Sequence, residues 1–476
     1  RLPPAECGAC VHQSFVRLSR SFHWLLVVGS FDSSALLVLA ATAKTSSCMH
    51  RTAARCLTTL ARGMIDLRRG HPPTAELPHA ALAKACAAAA TDLTSNAEAG
   101  LAIQYGAPRG CASHLDTLQR WLERRYGSMV RRDGLFTTNG ASHGLELCAA
   151  ALTAPGDEVV MEAPTYFLAA QVFRDHGLSI RSAPVDAGGL DVDALERALR
   201  AGTSRPKALY VVPRHGNPSG ASLDKDRRAK LAALAREFGF YVFADDVYHL
   251  LDWSSAPLRR LLEYDAAYAS GESAGGGDSS DPAAAAGGDT AALAIPDDAR
   301  VVSISSFSKV LAPGLRLGWI EAAPSIVAAV ARRGYVVSGG GCAPFTEQIV
   351  ARVLESGDAD THLDAMRRRC RSRCDALLGA LDDAADVLRP LCRPTGGFFV
   401  WVEILVEGVT AARLRDACAE DVAFLVGDAC DCDGLPIGDV APACLDRHLR
   451  LCFAMLDENE LVEGVARIAR RARELR

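Results

Sequence analysis

From residue 66 onward the chain alternates short apolar runs with longer stretches of helical periodicity, and this order constrains the fold most strongly. Apolar runs occupy residues 207–212, 241–244 and 301–304, and residues 224–238 have a helical pattern. Strands that alternate with helices pack as a mostly open sheet flanked by helices. We therefore predict an α/β fold with ligand sites at the strand ends.

The chain has 476 residues, which exceeds what one hydrophobic core usually needs. Beyond residue 345 the helical pattern returns, and short strands follow around residues 397–402 and 449–453. This order favours a second, smaller domain. We predict an N-terminal arm with part of the small domain at 61–100, a large domain at 101–345 and a C-terminal small domain at 346–476.

Two segments depart from this order. Residues 1–60 contain only Glu6 and Asp32 as acids among scattered basic residues, serine, threonine and alanine, a composition typical of organellar transit peptides. We interpret them as a targeting-like or disordered extension, which makes the protein mitochondrial or plastid if it is a transit peptide and cytoplasmic otherwise. Residues 266–298 are rich in glycine, alanine, serine and aspartate, and we predict a disordered surface insertion there.

Charge and cysteine usage exclude several classes of function. The formal net charge of -5 gives no basic field, so no nucleic-acid partner is predicted. The apolar runs near residues 24–43 are interrupted by polar residues, and we expect no stable membrane partner. The sixteen cysteines are dispersed, and neither the pair Cys7 and Cys10 nor the pair Cys430 and Cys432 has zinc spacing. We predict no metal site.

Residues 301–320 carry the strongest chemical signal. A buried strand is followed by a hydroxyl-rich turn with Ser306, Ser308 and Lys309, and Arg316 comes seven residues after the lysine. A lysine that must form an imine needs an unprotonated amine, which partial burial and nearby positive charge favour. The two serines and the guanidinium could donate hydrogen bonds to a phosphate.

A second candidate phosphate element lies at residues 135–147, where a strand ends and a helix begins at once. Gly140, Ala141 and Ser142 would present backbone amides at the helix N-terminus, where the helix dipole also favours an anion. Taken alone, this segment is better explained as an ordinary strand-to-helix turn.

A carboxylate, Asp245, stands at the end of the apolar run 241–244, with Tyr248 three residues on. A buried carboxylate needs a cationic partner, and a protonated pyridine nitrogen would suit it. Tyr248 and Asn217 could both hydrogen-bond a phenolic oxygen on such a ring, and Tyr166 could stack on the ring. The alternatives are a simple turn at Asn217 and a core aromatic at Tyr166.

Taken in order, these motifs resemble the class I and II aminotransferases of fold type I, which use pyridoxal phosphate. The resemblance runs from about residue 66 to the C-terminus, and the runs DDVYHLLDW and SGGGCAPF most resemble the 2-aminoadipate and kynurenine aminotransferase branch and its fungal relatives. Its motifs are Asn217-Pro218-Ser219-Gly220, Asp245-x-x-Tyr248, Ser306-x-Ser308-Lys309 with Arg316, and Leu449-Arg450-Leu451-Cys452-Phe453-Ala454.

The resemblance implies a large domain with a mostly parallel seven-stranded sheet, a smaller α+β domain, and a role for each motif residue. Lys309 would bond covalently to pyridoxal phosphate and shuttle the proton, and Asp245 would hold the pyridine nitrogen. Asn217 and Tyr248 would hold the phenolic oxygen, and Tyr166 would stack on the ring. The implied phosphate ligands are Ala141, Ser142, Ser306, Ser308 and Arg316.

The resemblance also implies how substrates bind. Arg450 corresponds to the arginine that grips the α-carboxylate of an amino acid or 2-oxo acid, and Gly70 to a glycine that lines the substrate pocket. Tyr105 is similar to a tyrosine that reaches into the neighbouring subunit's site, which implies a homodimer with shared active sites. The sequence departs from the family at Ala141, where serine is frequent, and at His143, where glutamine is frequent.

Two rival functions share these residues. A C-S lyase or another fold type I enzyme, such as a cyclopropane-forming synthase, would use the same cofactor-holding set. A more remote alternative is a non-catalytic aminotransferase-like module of the kind found in certain bacterial regulators. Transamination, with a 2-aminoadipate, kynurenine or aromatic amino acid as donor and 2-oxoglutarate as acceptor, is the function that the resemblance favours.

Overall fold

A computed structural model describes residues 63–95, 102–254, 259–270, 295–442 and 444–476. The predicted extension at residues 1–60 lies outside this part of the chain, and so do residues 271–294 of the predicted insertion.

Strands and helices alternate along the described residues. No helix among them is both long and apolar enough to cross a membrane. The strands are β1 (Ile65–Asp66), β2 (Leu135–Thr138), β3 (Glu158–Ala163), β4 (Ser179–Asp186), β5 (Gly189–Leu190), β6 (Ala208–Val211), β7 (Tyr241–Asp245), β8 (Val301–Ser306), β9 (Gly318–Glu321), β10 (Leu388–Pro390), β11 (Phe399–Ile404), β12 (Val422–Ala423), β13 (Leu425–Val426), β14 (Leu435–Pro436) and β15 (His448–Cys452). The α-helices are α1 (His79–Ser95), α2 (Ala112–Tyr126), α3 (Ala141–Leu152), α4 (Phe167–Asp175), α5 (Val192–Arg200), α6 (Lys225–Phe238), α7 (Leu261–Ser270), α8 (Pro324–Ala331), α9 (Gly334–Val337), α10 (Pro344–Glu355), α11 (Asp358–Asp382), α12 (Ala411–Ala417) and α13 (Glu458–Glu474).

The large sheet has the strand order β14-β4-β3-β6-β7-β8-β9-β2, and β5 pairs with β4. Strands β4, β3, β6, β7 and β8 are parallel, and β9 runs antiparallel to both of its neighbours. The predicted α/β fold with a mostly parallel sheet is confirmed. Seven strands form the body of the sheet, and the two-residue strands β5 and β14 extend it.

A second sheet has the order β10-β11-β15-β13, and all of its pairs are antiparallel. The helices α11 and α13 pack against each other beside it. Strand β1 pairs with β12, and the backbone amide of Cys452 donates to the carbonyl of Leu67 over 2.8 Å. This attachment supports the assignment of residues 61–100 partly to the small domain, although the domain boundaries stay predictions.

Local sequence accounts for these elements. Helix α6 begins at Asp224, whose side chain accepts from the Arg227 amide, and ends at Gly239 in the left-handed conformation that glycine tolerates. Residues 242–244 of β7 are fully buried because helices cover both faces of the sheet. On one face, Phe173 of α4 packs on Tyr210 and Phe243 at ring-centroid distances of 5.9 and 6.2 Å.

The structure corrects the start of the predicted insertion at residues 266–298. Residues 266–270 continue helix α7, and both Ala266 and Ala267 are buried. Alanine has the highest helix propensity, so an alanine-rich run can extend a helix as readily as it can begin a disordered segment. At the other end, Asp298 forms an ion pair with Arg236 at 3.1 Å.

A buried ion pair joins Arg260, which precedes α7, to Glu321 at the end of β9. The side chains of Arg260 and Glu321 are 1% and 0% exposed, and the guanidinium carbon lies 4.1 Å from the centre of the Tyr126 ring. Burial raises the pKa of Glu321 to about 7. The pair therefore neutralises a carboxylate that the core would otherwise exclude as a charge.

We expect Arg260→Ala to lower the free energy of unfolding by about 3 to 5 kcal/mol, because it leaves Glu321 buried without its cation. Urea unfolding monitored by tryptophan fluorescence would measure this loss. The matched control is Arg389→Ala, since the Arg389–Glu403 pair has side chains that are 65% and 31% exposed. That change should cost less than about 1 kcal/mol. Equal losses in the two variants would contradict the expectation.

Candidate active site

One cavity of about 380 Å³ opens at the carboxyl ends of the parallel strands. All the predicted site residues except Tyr105 line it, so residues far apart in sequence meet in one place. Those lining residues are Gly70, Ala141, Ser142, Tyr166, Asn217, Asp245, Tyr248, Ser306, Ser308, Lys309, Arg316 and Arg450.

Lys309 lies in the turn after β8, and its Nζ donates to the carbonyl oxygen of Gly70 over 2.7 Å. Burial lowers the pKa of Lys309, and the positive charges of Arg450 and Arg316 lower it further, while Cys452 and Asp245 act in the opposite direction. A lysine with a lowered pKa holds more of its amine in the neutral form, which is the form that attacks a carbonyl carbon.

Asp245 ends strand β7, and its two carboxylate oxygens differ. Its Oδ2 accepts a hydrogen bond from the Tyr210 hydroxyl over 2.7 Å, whereas its buried Oδ1 has no hydrogen-bond partner in the part of the chain that the structure describes. Burial raises the pKa of Asp245 to about 6. A buried acceptor of this kind fits a protonated ring nitrogen, which would supply both a donor and a positive charge.

A cluster of donors lies at the end of the neighbouring strand β8 and in the turn that follows it. The Ser306 and Ser308 hydroxyl oxygens are 2.9 Å apart, and Arg316 Nη1 lies 3.3 Å from Ser308 Oγ. Helix α3 begins beside them at Ala141, which places its unpaired backbone amides at the cavity. This set of hydroxyl, guanidinium and amide donors fits a phosphate group.

Gly140 allows this cluster to assemble. It precedes α3 with φ +88°, and a Cβ atom at this position would lie 2.8 Å from Arg316 Nη2. The same guanidinium nitrogen donates to the carbonyl of Asn139 over 3.2 Å. His143, which replaces a frequent glutamine, accepts from the Asn139 amide through Nδ1 at 2.9 Å. This hydrogen bond between Asn139 and His143 therefore stabilises the turn before the helix.

Arg450 reaches the cavity from β15 and is 7% exposed. Its Nη1 donates to Asn217 Oδ1 and its Nη2 to the carbonyl of Arg68, both over 2.8 Å. Its buried Nε has no hydrogen-bond partner among the residues described, and its guanidinium carbon lies 4.2 Å from the centre of the Phe399 ring. A guanidinium so oriented fits a carboxylate, for which arginine offers a planar fork of donors.

Three aromatic or small residues shape the rest of the cavity. Tyr248 is buried against Phe398 and Phe399, with ring-centroid distances of 5.5 and 6.0 Å. Gly70 must lack a side chain, because a Cβ atom there would lie 2.4 Å from Phe399 Cζ. Tyr166 is half-buried at the start of α4.

Tyr105 is the predicted site residue that lies apart from the cavity of its own chain. Its side chain is 82% exposed, and its ring lies beside Gly339. Among the residues that the structure describes, no group of three or more histidine, cysteine, aspartate or glutamate side chains is placed to hold a metal ion.

Two residues of the site had no sequence signal of their own. Tyr210 donates to Asp245, and Phe399 lies under Arg450. Both belong to apolar strands in which any aromatic residue is expected as core. The register of β6 and β7, in which Tyr210 pairs with Phe243, places Tyr210 near the carboxylate at the end of β7.

Comparisons with known proteins agree with this donor set. The family model described as "Aminotransferase class I and II" matches residues 62–468. The 2-aminoadipate transaminase of Thermus thermophilus is 30% identical over 392 residues, which cover 81% of this chain and 85% of the relative. Aromatic-amino-acid aminotransferase 1 of Thermococcus litoralis is 28% identical over 383 residues, which cover 79% of this chain and 81% of the relative.

A solved structure gives the same result. The kynurenine aminotransferase of Pyrococcus horikoshii, solved in complex with PMP, KYN and KYA, superposes with a TM-score of 0.70. The two chains are 26% identical, and the match covers 92% of this chain and 96% of the other. The cofactor is therefore pyridoxal phosphate, and the residues of the cavity fit it.

We expect Gly140→Ala to raise the dissociation constant for pyridoxal phosphate by about tenfold or more, because the new methyl group would displace Arg316 and cost a charge-assisted hydrogen bond. Titration of the cofactor-free protein would measure the constant. The matched control is Gly127→Ala: Gly127 also has positive φ, at +66°, but nothing lies within 4 Å of its Cβ position. Unchanged affinity in the Gly140 variant would contradict the expectation.

Proposed function

This chain belongs to the class I and II aminotransferase family, and we propose that it transfers the amino group of an L-α-amino acid of 2-aminoadipate, kynurenine or aromatic type to 2-oxoglutarate or another 2-oxo acid. The observation that carries the proposal is the meeting of Lys309, Asp245 and Arg450 in one cavity. Relatives named for 2-aminoadipate and aromatic amino acids and a structural relative named for kynurenine support the substrate type.

Pyridoxal phosphate, when bound, supplies an aldehyde that bonds to amines and an electron-withdrawing ring. In the proposed mechanism Lys309 would hold the cofactor covalently at rest, and its amine, once free, would move the proton from the substrate Cα to the cofactor. Its lowered pKa supports this role. Asp245 would hold a proton on the ring nitrogen through Oδ1, which has no hydrogen-bond partner among the described residues.

The remaining residues position the cofactor. We assign the phosphate to the donor cluster of the cavity, the phenolic oxygen to Asn217 and Tyr248, and the ring face to Tyr166. Asn217 is held by Arg450, so the carboxylate site and the phenolic oxygen site share one hydrogen bond. The phosphate ligands are Ala141, Ser142, Ser306, Ser308 and Arg316.

Arg450 is proposed to bind the α-carboxylate common to all donors and acceptors. Its buried position makes each charge-assisted hydrogen bond worth about 1.5 to 3 kcal/mol. The same contact orients the Cα–H bond, because a carboxylate held by two donors cannot rotate freely. Gly70 lines the cavity, and its lack of a side chain allows the Phe399 ring to pack against it.

A homodimer with shared active sites is the proposed assembly. Large apolar side chains are exposed on one chain at Ile103, Tyr105, Tyr335 and Val337. The ring of Tyr105 lies beside Gly339, and the ring of Tyr335 contacts the backbone of Gly340, so the two exposed segments are neighbours. A second copy of the chain would cover this surface and receive Tyr105 at its own cavity.

The direct test is incubation of the purified protein with 2-aminoadipate, kynurenine or an aromatic amino acid and 2-oxoglutarate. Formation of glutamate supports transamination, whereas release of ammonia and pyruvate from a cysteine conjugate indicates the rival C-S lyase.

We expect Lys309→Ala to abolish turnover and the visible absorbance of the lysine-bound cofactor. A colourless wild-type protein that gains no absorbance with added cofactor would contradict the proposal.

We expect Arg450→Ala to raise the KM for every α-amino acid by about tenfold or more, since each substrate loses a carboxylate contact. Arg450→Lys keeps the charge without the planar fork, so it should recover only part of the loss. Steady-state kinetics over the same amino acids would measure both. An effect confined to one substrate would show that Arg450 binds something other than the α-carboxylate.

A further inference from the structure

Phe167 separates the cavity from a small apolar cluster. It is the first residue of α4, lines the cavity and is half-buried. On its other side it packs against the cluster formed by Trp401, Cys430 and Leu445. One aromatic ring thus forms the wall between the cavity and this cluster.

The cluster lies beside the carboxylate-binding arginine. Arg450 pairs with Trp401 where β15 meets β11, and with Leu425 where β15 meets β13. Directly paired residues of an antiparallel sheet project from the same face. The face that carries Arg450 therefore continues into Trp401 and, through it, into the wall formed by Phe167.

The wall is held firmly in place. The amide of Thr165, two residues before Phe167, donates to the carbonyl of Cys430 over 2.9 Å. Trp401 is 2% exposed and stacks on His448 at a ring-centroid distance of 5.5 Å with an interplanar angle of 7°. A side chain supported from behind in this way cannot withdraw from a bulky substrate without disturbing a packed region.

The distribution of charged residues in the cavity also indicates which part of a substrate faces Phe167. The charged residues that line the cavity are Lys309, Asp245, Arg316 and Arg450, and the proposed mechanism uses all four. The lining also includes Phe167, Leu168 and Phe399, which we take as the surface that faces the side chain of a substrate held by Arg450. That surface is apolar and aromatic.

We propose that Phe167 is a specificity-determining residue, which limits the size of the substrate side chain by closing the apolar end of the cavity. The proposal rests on the proposed function. Removing the ring opens the cavity toward Trp401, which favours larger side chains and deprives smaller ones of a packing surface. In a hydrophobic pocket, one methylene group changes discrimination by roughly 10- to 200-fold.

The test measures kcat/KM of the pyridoxal phosphate-loaded enzyme for leucine and kynurenine, with 2-oxoglutarate as acceptor. We expect Phe167→Ala to raise the kynurenine-to-leucine ratio by about tenfold or more, and Phe167→Leu to raise it less. The matched control is Phe238→Ala, which makes the same truncation at a partly exposed residue that does not line the cavity. It should leave the ratio unchanged.

An unchanged ratio in Phe167→Ala, or an equal change in Phe238→Ala, would overturn the proposal. If Phe167→Ala fails to bind the cofactor, the ratio in Phe167→Leu decides. A wild-type enzyme that transaminates neither amino acid, nor any other tested, would instead overturn the proposed function.

Discussion

Neighbouring parallel strands end at the same edge of the large sheet, and the positions of the reactive groups follow from that alignment. Asp245 ends β7 and Ser306 ends β8, so they lie side by side. Strand β9 then returns antiparallel, with Gly318 opposite Ser306. The connection between these two residues must fold back over the edge, and it carries both Lys309 and Arg316 to the cavity.

The cavity combines three cationic side chains with one carboxylate. Arg316 and Arg450 are partly satisfied by backbone carbonyls, and Lys309 donates to the Gly70 carbonyl. Neutral carbonyl oxygens stabilise these cations without cancelling their charge, so the cavity attracts anions. In the proposed function, a cofactor phosphate and a substrate carboxylate are those anions, and Asp245 faces the positive ring nitrogen. Recognition of the two anionic groups therefore depends on keeping the cationic side chains apart within one small cavity.

The sequence alone predicted the site residues that belong to a recognisable local motif. Lys309, Asp245 and Arg316 follow apolar strands, and a polar side chain at a strand end has few structural reasons to be there. Tyr210 and Phe399 could not be predicted, because their roles depend on which strands pair and in which register. The cluster behind Phe167 depends on packing between two sheets, which no local pattern records. The start of the insertion was wrong because alanine-rich sequence is compatible with both helix and disorder.

Strand β14 pairs with β4 at the border of the large sheet, whereas β13, nine residues earlier in the chain, pairs with β15 in the small sheet. Residues 427–434 connect the two strands and are therefore held at both ends; we call this segment the tether. Its Cys430 carbonyl also binds the Thr165 amide, and Arg174 donates to the Cys432 carbonyl over 2.5 Å. Any motion of one sheet against the other must either bend this tether or break its hydrogen bonds. The tether therefore ties the position of the small sheet, which carries Arg450, to the border of the large sheet and to Thr165, two residues before the start of α4.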